Sequence, residues 1–231
     1  MNANPILSRA ILFVLFALAA AAQDDPAGVA AFARLKTAVN QATLASQSFP
    51  DNIRADVNNY LVESGNLASS LWERYQGSLN RVDRSKISRV YVVSLNSDSL
   101  ALEKLPAVAP GSRAAVARDV RDDLLVKSRF SSESLGIGGA FPSVVTVTVE
   151  TERNGKKVDN LWVRCNPQRD GVTKNPMFVF NSATSPTVSQ LPPGVFTIWV
   201  EATSGGQVLT QEPIMVGSNG SDHDTIRLAL P

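Results

Sequence analysis

The spacing of apolar residues changes once along the chain, and the change separates a helical part from a strand part. Between residues 26 and 130, apolar side chains recur every three or four positions, which predicts amphipathic helices. One stripe runs from Val29 to Ala42, and a longer stripe runs from Ile53 to Val82. An antiparallel bundle of three or four helices is the simplest way to bury such stripes.

Two more helices are predicted after the long stripe. The segment 84–105 has helical spacing, although its β-branched residues between Arg89 and Leu95 would also suit a strand. The segment from about 112 to 128 carries an apolar stripe that ends at Lys127. The charged run 118–123 of that segment is predicted to form its outer, solvated face.

Beyond a segment rich in Ser, Gly and Pro, the apolar period falls to two. Residues 145–150 alternate valine with threonine or glutamate, and residues 161–165 and 196–201 alternate in the same way. Six or seven short strands separated by turn residues predict an antiparallel sandwich. We therefore predict an α+β protein with a helical bundle at 23–130, a linker at 131–142 and a β-sandwich of about seven strands at 143–231.

The first 22 residues have the pattern of a secretory signal peptide. Arg9 supplies the positive charge, an uncharged apolar run follows, and three alanines precede Gln23. The alternative, a retained membrane anchor, is disfavoured because the apolar run is shorter than the about 20 residues that a membrane span needs. The expected mature protein is secreted or periplasmic and has no membrane span.

Composition and charge exclude several classes. The chain is 44% apolar and 19% charged, which is ordinary globular usage rather than a disordered or collagen-like composition. Its formal net charge is +1, so it lacks the basic footprint of a nucleic-acid-binding protein. The densest basic stretch contains Arg81, Arg84, Lys86 and Arg89, and we interpret it as the solvated ends of two helices.

The chain has few residues suited to catalysis or metal binding. A single Cys and a single His exclude a disulfide framework and a multi-histidine metal site. Cys165 shares strand parity with Val163, which predicts a buried thiol. His223 lies between Asp222 and Asp224, where turn chemistry is a better explanation than weak cation binding. We predict no catalytic residue, no cofactor and no metal.

Two tryptophans are the strongest candidates for a binding surface. Trp162 and Trp199 are out of phase with the predicted core residues of their strands, so both should point to an outer face of the sandwich. Arg164 and Glu201 are polar neighbours on that face. Either the indoles pack under loops or against the helical half, or they form a platform for a sugar or a protein.

Two segments of the strand part carry a family resemblance. Residues 145–167 (VTVTVETERNGKKVDNLWVRCNP) and 191–200 (LPPGVFTIWV) resemble the opening hairpin and the Leu-Pro-Pro-Gly turn and strand of the carboxypeptidase regulatory-like domain, a transthyretin-like β-sandwich. The loop 166–176 is longer than that family leads us to expect. The resemblance implies a non-catalytic scaffold or binding module and transfers no site residue.

These observations favour an exported, non-enzymatic binding or structural protein of the cell envelope or extracellular space, whose partner is a protein or glycan not identified by the sequence. The alternative is a carbohydrate-binding protein that uses Trp162 and Trp199. A hydrolase with paired carboxylates ranks last, because no nucleophile–base motif is present.

Overall fold

A computed structural model describes residues 25–78, 89–134, 144–180 and 185–231 of the chain. The predicted leader, most of the predicted linker, and Arg81, Arg84 and Lys86 of the basic stretch lie outside these ranges. Helices occupy the N-terminal half of the described residues and strands the C-terminal half, which confirms the predicted α+β class.

Within the described ranges, four α-helices form the N-terminal half. They are α1 (Pro26–Ser46), α2 (Asp51–Ser78), α3 (Arg89–Glu103) and α4 (Pro110–Ser134), with a 3₁₀ turn at Leu105–Ala107. Helix α1 packs mainly against α3, and α2 packs mainly against α4. The described part of the segment whose β-branched residues also suited a strand is helical from Arg89 to Glu103, because its apolar side chains at three- and four-residue spacing reach the bundle core.

The start of α1 is tied to α2 by one carboxylate. Asp25 caps the helix by accepting a hydrogen bond from the Gly28 amide at 3.0 Å, and Pro26 occupies the first helical turn. The other oxygen of Asp25 accepts a hydrogen bond from the Tyr75 hydroxyl at 2.9 Å. A side chain at Gly28 would collide with this carboxylate, so glycine is needed for the close approach.

The predicted stripes form the bundle core. Its fully buried residues include Leu35 from α1, Leu61 and Leu71 from α2, Leu95 from α3 and Leu124 from α4. Trp72 is only partly buried and packs at the edge of this core, where its ring centroid lies 5.6 Å from that of Phe32.

The described residues of the C-terminal half contain eight strands in two sheets. They are β1 (Val145–Arg153), β2 (Lys156–Lys157), β3 (Trp162–Pro167), β4 (Phe178–Val179), β5 (Thr187–Leu191), β6 (Gly194–Glu201), β7 (Val208–Val216) and β8 (His223–Ala229). In the first sheet, β1 pairs with β2, β5 and β8. The second sheet has the order β4-β3-β6-β7.

One strand pair departs from the antiparallel pattern. β8 runs parallel to β1, with Thr146 opposite His223 and Glu152 opposite Ala229, whereas the other described pairs are antiparallel. The parallel pair joins the first and last strands of the sandwich. Alternation and turn signals report on hairpins between neighbouring strands, so they carry no information on this distant pairing.

The predicted strand parity is confirmed in the core of the sandwich. Val147 and its alternate neighbours on β1 are fully buried, and Cys165 of β3 and Ile198 of β6 face them from the second sheet. Because the inward residues of both sheets form one apolar cluster, the two sheets pack face to face.

Helix α4 belongs to both halves of the protein. Val120 and Leu124 lie in the bundle core, whereas Phe130, near the end of the same helix, lies in the sandwich core. The helix also continues to Ser134, four residues into the predicted linker 131–142. The two cores therefore meet along one helix, which brings α3 and α4 against the strand half.

Candidate functional site

The four residues predicted as a binding surface share one face of the second sheet. Trp162 lies opposite Glu201, and Arg164 lies opposite Trp199, in the pairing of β3 with β6. All four are out of phase with the buried core residues Val163, Cys165 and Ile198, so they lie on the outer face. The structure thus brings the predicted residues together.

Trp199 and Glu201 lie on this outer face but are buried, so of the two alternatives for the indoles Trp199 takes the covered one. Trp199 is fully buried, and its indole N–H donates a hydrogen bond to Glu201 Oε1 at 2.8 Å. Glu201 is only 4% exposed, and its Oε2 accepts a hydrogen bond from the Gly205 amide at 2.7 Å. Their polar atoms are therefore occupied by partners within the protein, and Trp199 offers no open ring face to a sugar.

Arg164 lies beside Glu201 and contacts the same turn. It is buried, and its guanidinium lies 5.0 Å above the ring of Trp162, which is itself partly buried. The guanidinium also donates a hydrogen bond to Ser204 Oγ at 2.7 Å and lies 3.6 Å from Glu201 Oε2. These contacts reach the turn after β6, and that turn covers the outer face beside Trp199.

The single thiol and the single imidazole lie in different environments. Cys165 is fully buried, and burial raises the pKa of its thiol well above the ordinary range. His223 is exposed at the start of β8, where Nδ1 lies 2.7 Å from Asp222 Oδ1.

The two aspartates beside His223 do not converge on one site. Asp224 points elsewhere, since its carboxylate accepts a hydrogen bond from the Gly217 amide at 2.7 Å. Among the described residues, no group of three His, Cys, Asp or Glu could hold a metal ion.

A cluster of four buried charged side chains lies where the helices meet the strands. Asp98 comes from α3, Asp123 and Lys127 come from α4, and Arg169 comes from the 3₁₀ turn after β3. Lys127 contacts both carboxylates, with 3.3 Å to Asp98 Oδ2. Arg169 lies 2.8 Å from Asp98 Oδ1 and 3.9 Å from Asp123 Oδ2. Two carboxylates thus face two cations out of contact with water.

The cluster holds the bundle against the sandwich. Asp123 Oδ1 accepts a hydrogen bond from the Val195 amide at 2.7 Å, at the start of β6. Arg169 donates a hydrogen bond to Ser97 Oγ of α3 at 2.6 Å. A side chain at Gly194 would collide with the Asp123 carboxylate, so this glycine permits the close approach of strand and helix. We call Asp98, Asp123, Lys127 and Arg169 the junction cluster.

The two carboxylates of the junction cluster have opposite pKa shifts. Burial raises the pKa of Asp98 to about 7, and repulsion from Asp123 adds to this effect while Lys127 and Arg169 oppose it. Burial alone would also raise the pKa of Asp123. Attraction by Lys127 and Arg169, with hydrogen bonds from Lys127 and the Val195 amide, outweighs burial and lowers that pKa.

Sequence reasoning placed Asp123 on a solvated face, and this prediction is wrong. Asp123 is 1% exposed because the sandwich covers the part of α4 that the bundle leaves open. One signal was present in the sequence: Lys127 continues the apolar stripe and lies four residues after Asp123, the spacing of a helical ion pair. Arg169, in a turn, gave no such signal.

A cleft of about 340 Å³ lies beside the junction cluster. Helix α3 forms one wall and includes Ser97 and Leu100; Arg34 of α1 also lines it. Asp170 and Met177, before β4, line the opposite side. Because Ser97 accepts the hydrogen bond from Arg169, the cleft and the junction cluster share a wall.

The chain matches no protein-family model, and no curated protein matches it significantly. The resemblance of residues 145–167 and 191–200 to the carboxypeptidase regulatory-like domain therefore stays a prediction. No helix within the described ranges has the length and apolar character needed to cross a membrane.

Proposed function

We propose that this protein is an exported, non-enzymatic binding or structural protein of the cell envelope or extracellular space. In this proposal the sandwich is a scaffold and the helical bundle is fixed to it, so that the two present one composite surface to a protein partner. The junction cluster is the observation that carries the proposal. It joins α3, α4, the turn after β3 and the start of β6 through buried ion pairs and hydrogen bonds.

The placement of the reactive side chains supports a role without catalysis. A nucleophilic thiol needs a lowered pKa and access to substrate, whereas Cys165 is buried and its pKa is raised. The imidazole that could activate a nucleophile, that of His223, is exposed beside Asp222 rather than near the thiol. The buried carboxylates Asp98 and Asp123 bind cations of the same chain.

Export rests on the pattern of residues 1–22, and a scaffold role is also what the family resemblance implies. N-terminal sequencing by mass spectrometry tests the first point. The protein recovered from the periplasm or medium is expected to begin near Gln23. Protein that stays inside the cell with Met1 in place would contradict export.

Affinity capture tests the binding role. The purified protein, immobilised on resin, is expected to retain a partner from envelope or medium fractions of its source cell, and the purified partner is expected to bind again. Asp123→Asn, which weakens the junction, should reduce this binding, whereas Asp122→Asn, an exposed neighbour on α4, should not. Retention of nothing beyond bare resin would contradict the proposal.

A further inference from the structure

We propose that the outer edge of β8 pairs with the β8 of a second copy of this chain, so that two copies form a two-fold symmetric dimer. This inference goes beyond the proposed function, which concerns a different protein as the partner, and it depends neither on export nor on the junction cluster. Addition of a strand to an exposed sheet edge is a common mode of protein association.

The backbone of β8 bonds to β1 through every second residue. The Thr146 amide donates a hydrogen bond to the Asp222 carbonyl at 2.8 Å, and the Leu230 amide donates one to the Glu152 carbonyl at 2.8 Å. In the regular parallel ladder between these two bonds, the even-numbered residues of β8 therefore bond to β1. The N–H and C=O groups of the odd-numbered residues point away from β1, toward the outer edge.

Most of these outer groups have no partner in the part of the chain that the structure describes. His223 is the exception, because its amide donates to Ser221 Oγ at 3.1 Å and its carbonyl accepts from that hydroxyl at 2.9 Å. The backbone groups of Thr225, Arg227 and Ala229 bond to no described residue. All three residues are exposed, so a second strand can reach their N–H and C=O groups.

The other described sheet edges are short, covered or interrupted. β2 and β4 have two residues each, and α3 lies against β5. The register of the second sheet places Pro213, which has no N–H group, among the β7 residues whose backbone points away from β6. β8 contains no proline or lysine that would protect its edge, and Glu150 holds Arg227 over β1 at 3.1 Å.

The side-chain pattern of β8 identifies a second copy as the occupant. A strand added to this edge must place apolar residues on the inner face of the sheet and polar residues on the outer face. β8 has this alternation itself, because Ile226 and Leu228 pack on the sandwich core and the residues between and beside them are exposed. Two-fold pairing of identical surfaces is also the commonest symmetry of protein dimers.

Hydrogen bonding and charge select one antiparallel register. The free groups of two copies meet only where odd-numbered residues lie opposite odd-numbered residues. A two-fold axis at Ile226 places Thr225 of each copy opposite Arg227 of the other and brings together two Ile226 side chains that are only partly buried. An axis at Arg227 would place like charges opposite each other. An axis at Leu228 would join side chains that are already buried, and one at Thr225 would need the occupied groups of His223.

Sedimentation equilibrium and amide exchange test the dimer in the wild-type protein. The mass is expected to change from monomer to dimer between micromolar and submillimolar concentration, because one strand pair is a small interface. Over the same range, hydrogen exchange measured by NMR should slow at the Thr225 and Arg227 amides and stay unchanged at Gln211, on the outward side of β7. A monomer at every concentration would overturn the proposal, and so would a dimer in which the Thr225 and Arg227 amides exchange as in the monomer.

A proline at the edge tests the hydrogen bonds. Thr225→Pro removes an outward N–H group and leaves the ladder with β1 intact, so the variant is expected to stay monomeric. Gln211→Pro, at an exposed outward position of β7, is the matched control and should dimerise as the wild type does. Circular dichroism checks that both variants are folded. Dimerisation of folded Thr225→Pro with the affinity of the wild type would overturn the proposal.

A charge pair at the same position tests the register. Thr225→Glu places a carboxylate opposite Arg227 of the other copy and is expected to lower the dimer Kd severalfold. Thr225→Lys places two cations opposite each other and is expected to raise it severalfold. If both variants changed the Kd in the same direction, the pairing of residue 225 with Arg227 would be overturned.

Discussion

The Asp123 carboxylate of α4 accepts a hydrogen bond from the Val195 amide of β6 at 2.7 Å. The pairing of β3 with β6 ends at Pro167 opposite Phe196, so Val195 lies one residue beyond the last β3 partner. Asp123 therefore supplies an acceptor where the neighbouring strand has stopped. An amide without a partner at this partly buried position would destabilise the folded protein, and the hydrogen bond to Asp123 of the helical half avoids that loss.

The same carboxylate also balances buried cations, so we expect Asp123→Asn to be strongly destabilising. The substitution leaves Lys127 and Arg169 with Asp98 alone, and a buried charge without compensation costs about 3–5 kcal/mol. Urea unfolding followed by circular dichroism measures the loss. Asp122→Asn is the matched control, because its 40% exposed side chain pairs with Arg121 at the surface and should cost at most about 1 kcal/mol. Equal decreases in the free energy of unfolding for the two variants would show that the buried ion pairs stabilise the fold no more than the exposed pair does.

The raised pKa of Asp98 predicts a specific dependence of stability on pH. Its ordinary value is 3.8, and its pKa in the folded protein is about 7. Between these values the folded protein holds a proton that the unfolded chain has released. The free energy of unfolding should therefore fall as pH rises through this window, by at most about 1.4 kcal/mol per pH unit from this group.

Among the described residues, the charged groups that act on Asp98 are Lys127, Asp123 and Arg169, and Asp98 itself helps to raise the pKa of the buried Tyr91. The pKa of Asp123 is lowered in the folded protein, so ionised Asp123 adds to the free energy of unfolding. This stabilisation is complete above the ordinary pKa of 3.8 and is lost only at lower pH. Asp98→Asn cannot release a proton, so its unfolding free energy should lack the downward slope. Denaturation curves from pH 4 to 7 that run parallel for the variant and the wild type would rule out this titration.

Local periodicity predicted those parts of the structure that depend on a single element. The three- and four-residue spacing around Leu35 and Leu71 identified the bundle core, and the alternation around Val147 identified the sandwich core. The junction cluster depends instead on where α3, α4 and a turn meet in space. A periodic pattern assigns Asp123 to a face of its helix but does not report which element covers that face.

Trp199 illustrates the same limit within a sheet. Alternation correctly separates its face from that of Ile198, because successive strand residues point to opposite sides. Alternation does not distinguish an outer face that is open to water from one that is covered by other side chains and a turn of the same protein. Here Arg164 and Glu201, which alternation placed beside Trp199 as candidate ligand contacts, bond to the turn after β6 instead.

The end of α4 in the sandwich core predicts a steric effect at Gly217. A methyl group at Gly217 would lie 2.7 Å from Phe130 Cδ2, and the residue has a φ of +74°. Gly155 has nearly the same φ, +72°, with no atom near the added methyl. Gly155→Ala should cost about 1–2 kcal/mol for the left-handed backbone alone, and Gly217→Ala should cost about 1–3 kcal/mol more.

Adding Phe130→Leu to Gly217→Ala tests the cause of the extra loss. The smaller side chain makes room for the methyl group, so the double variant should lose less than the sum of its two single variants. Urea unfolding of the four proteins forms a double-mutant cycle that measures this coupling. If the decreases in the free energy of unfolding were additive, Phe130 would not be in contact with residue 217.

Cys165 predicts the rate at which the folded protein reacts with a thiol reagent. Its side chain is fully buried and its pKa is raised by burial, so little thiolate forms and the reagent has no access. Reaction with Ellman's reagent in the absence of urea should be no faster than unfolding, and it should reach the rate of a free thiol once the protein is unfolded. The matched control is Val179→Cys in a Cys165→Ala background, because position 179 is 41% exposed on the adjacent strand β4 and should react at once. If the native thiol reacted as fast as this control, Cys165 would have to be accessible, and the inward face assigned to β3 would be wrong.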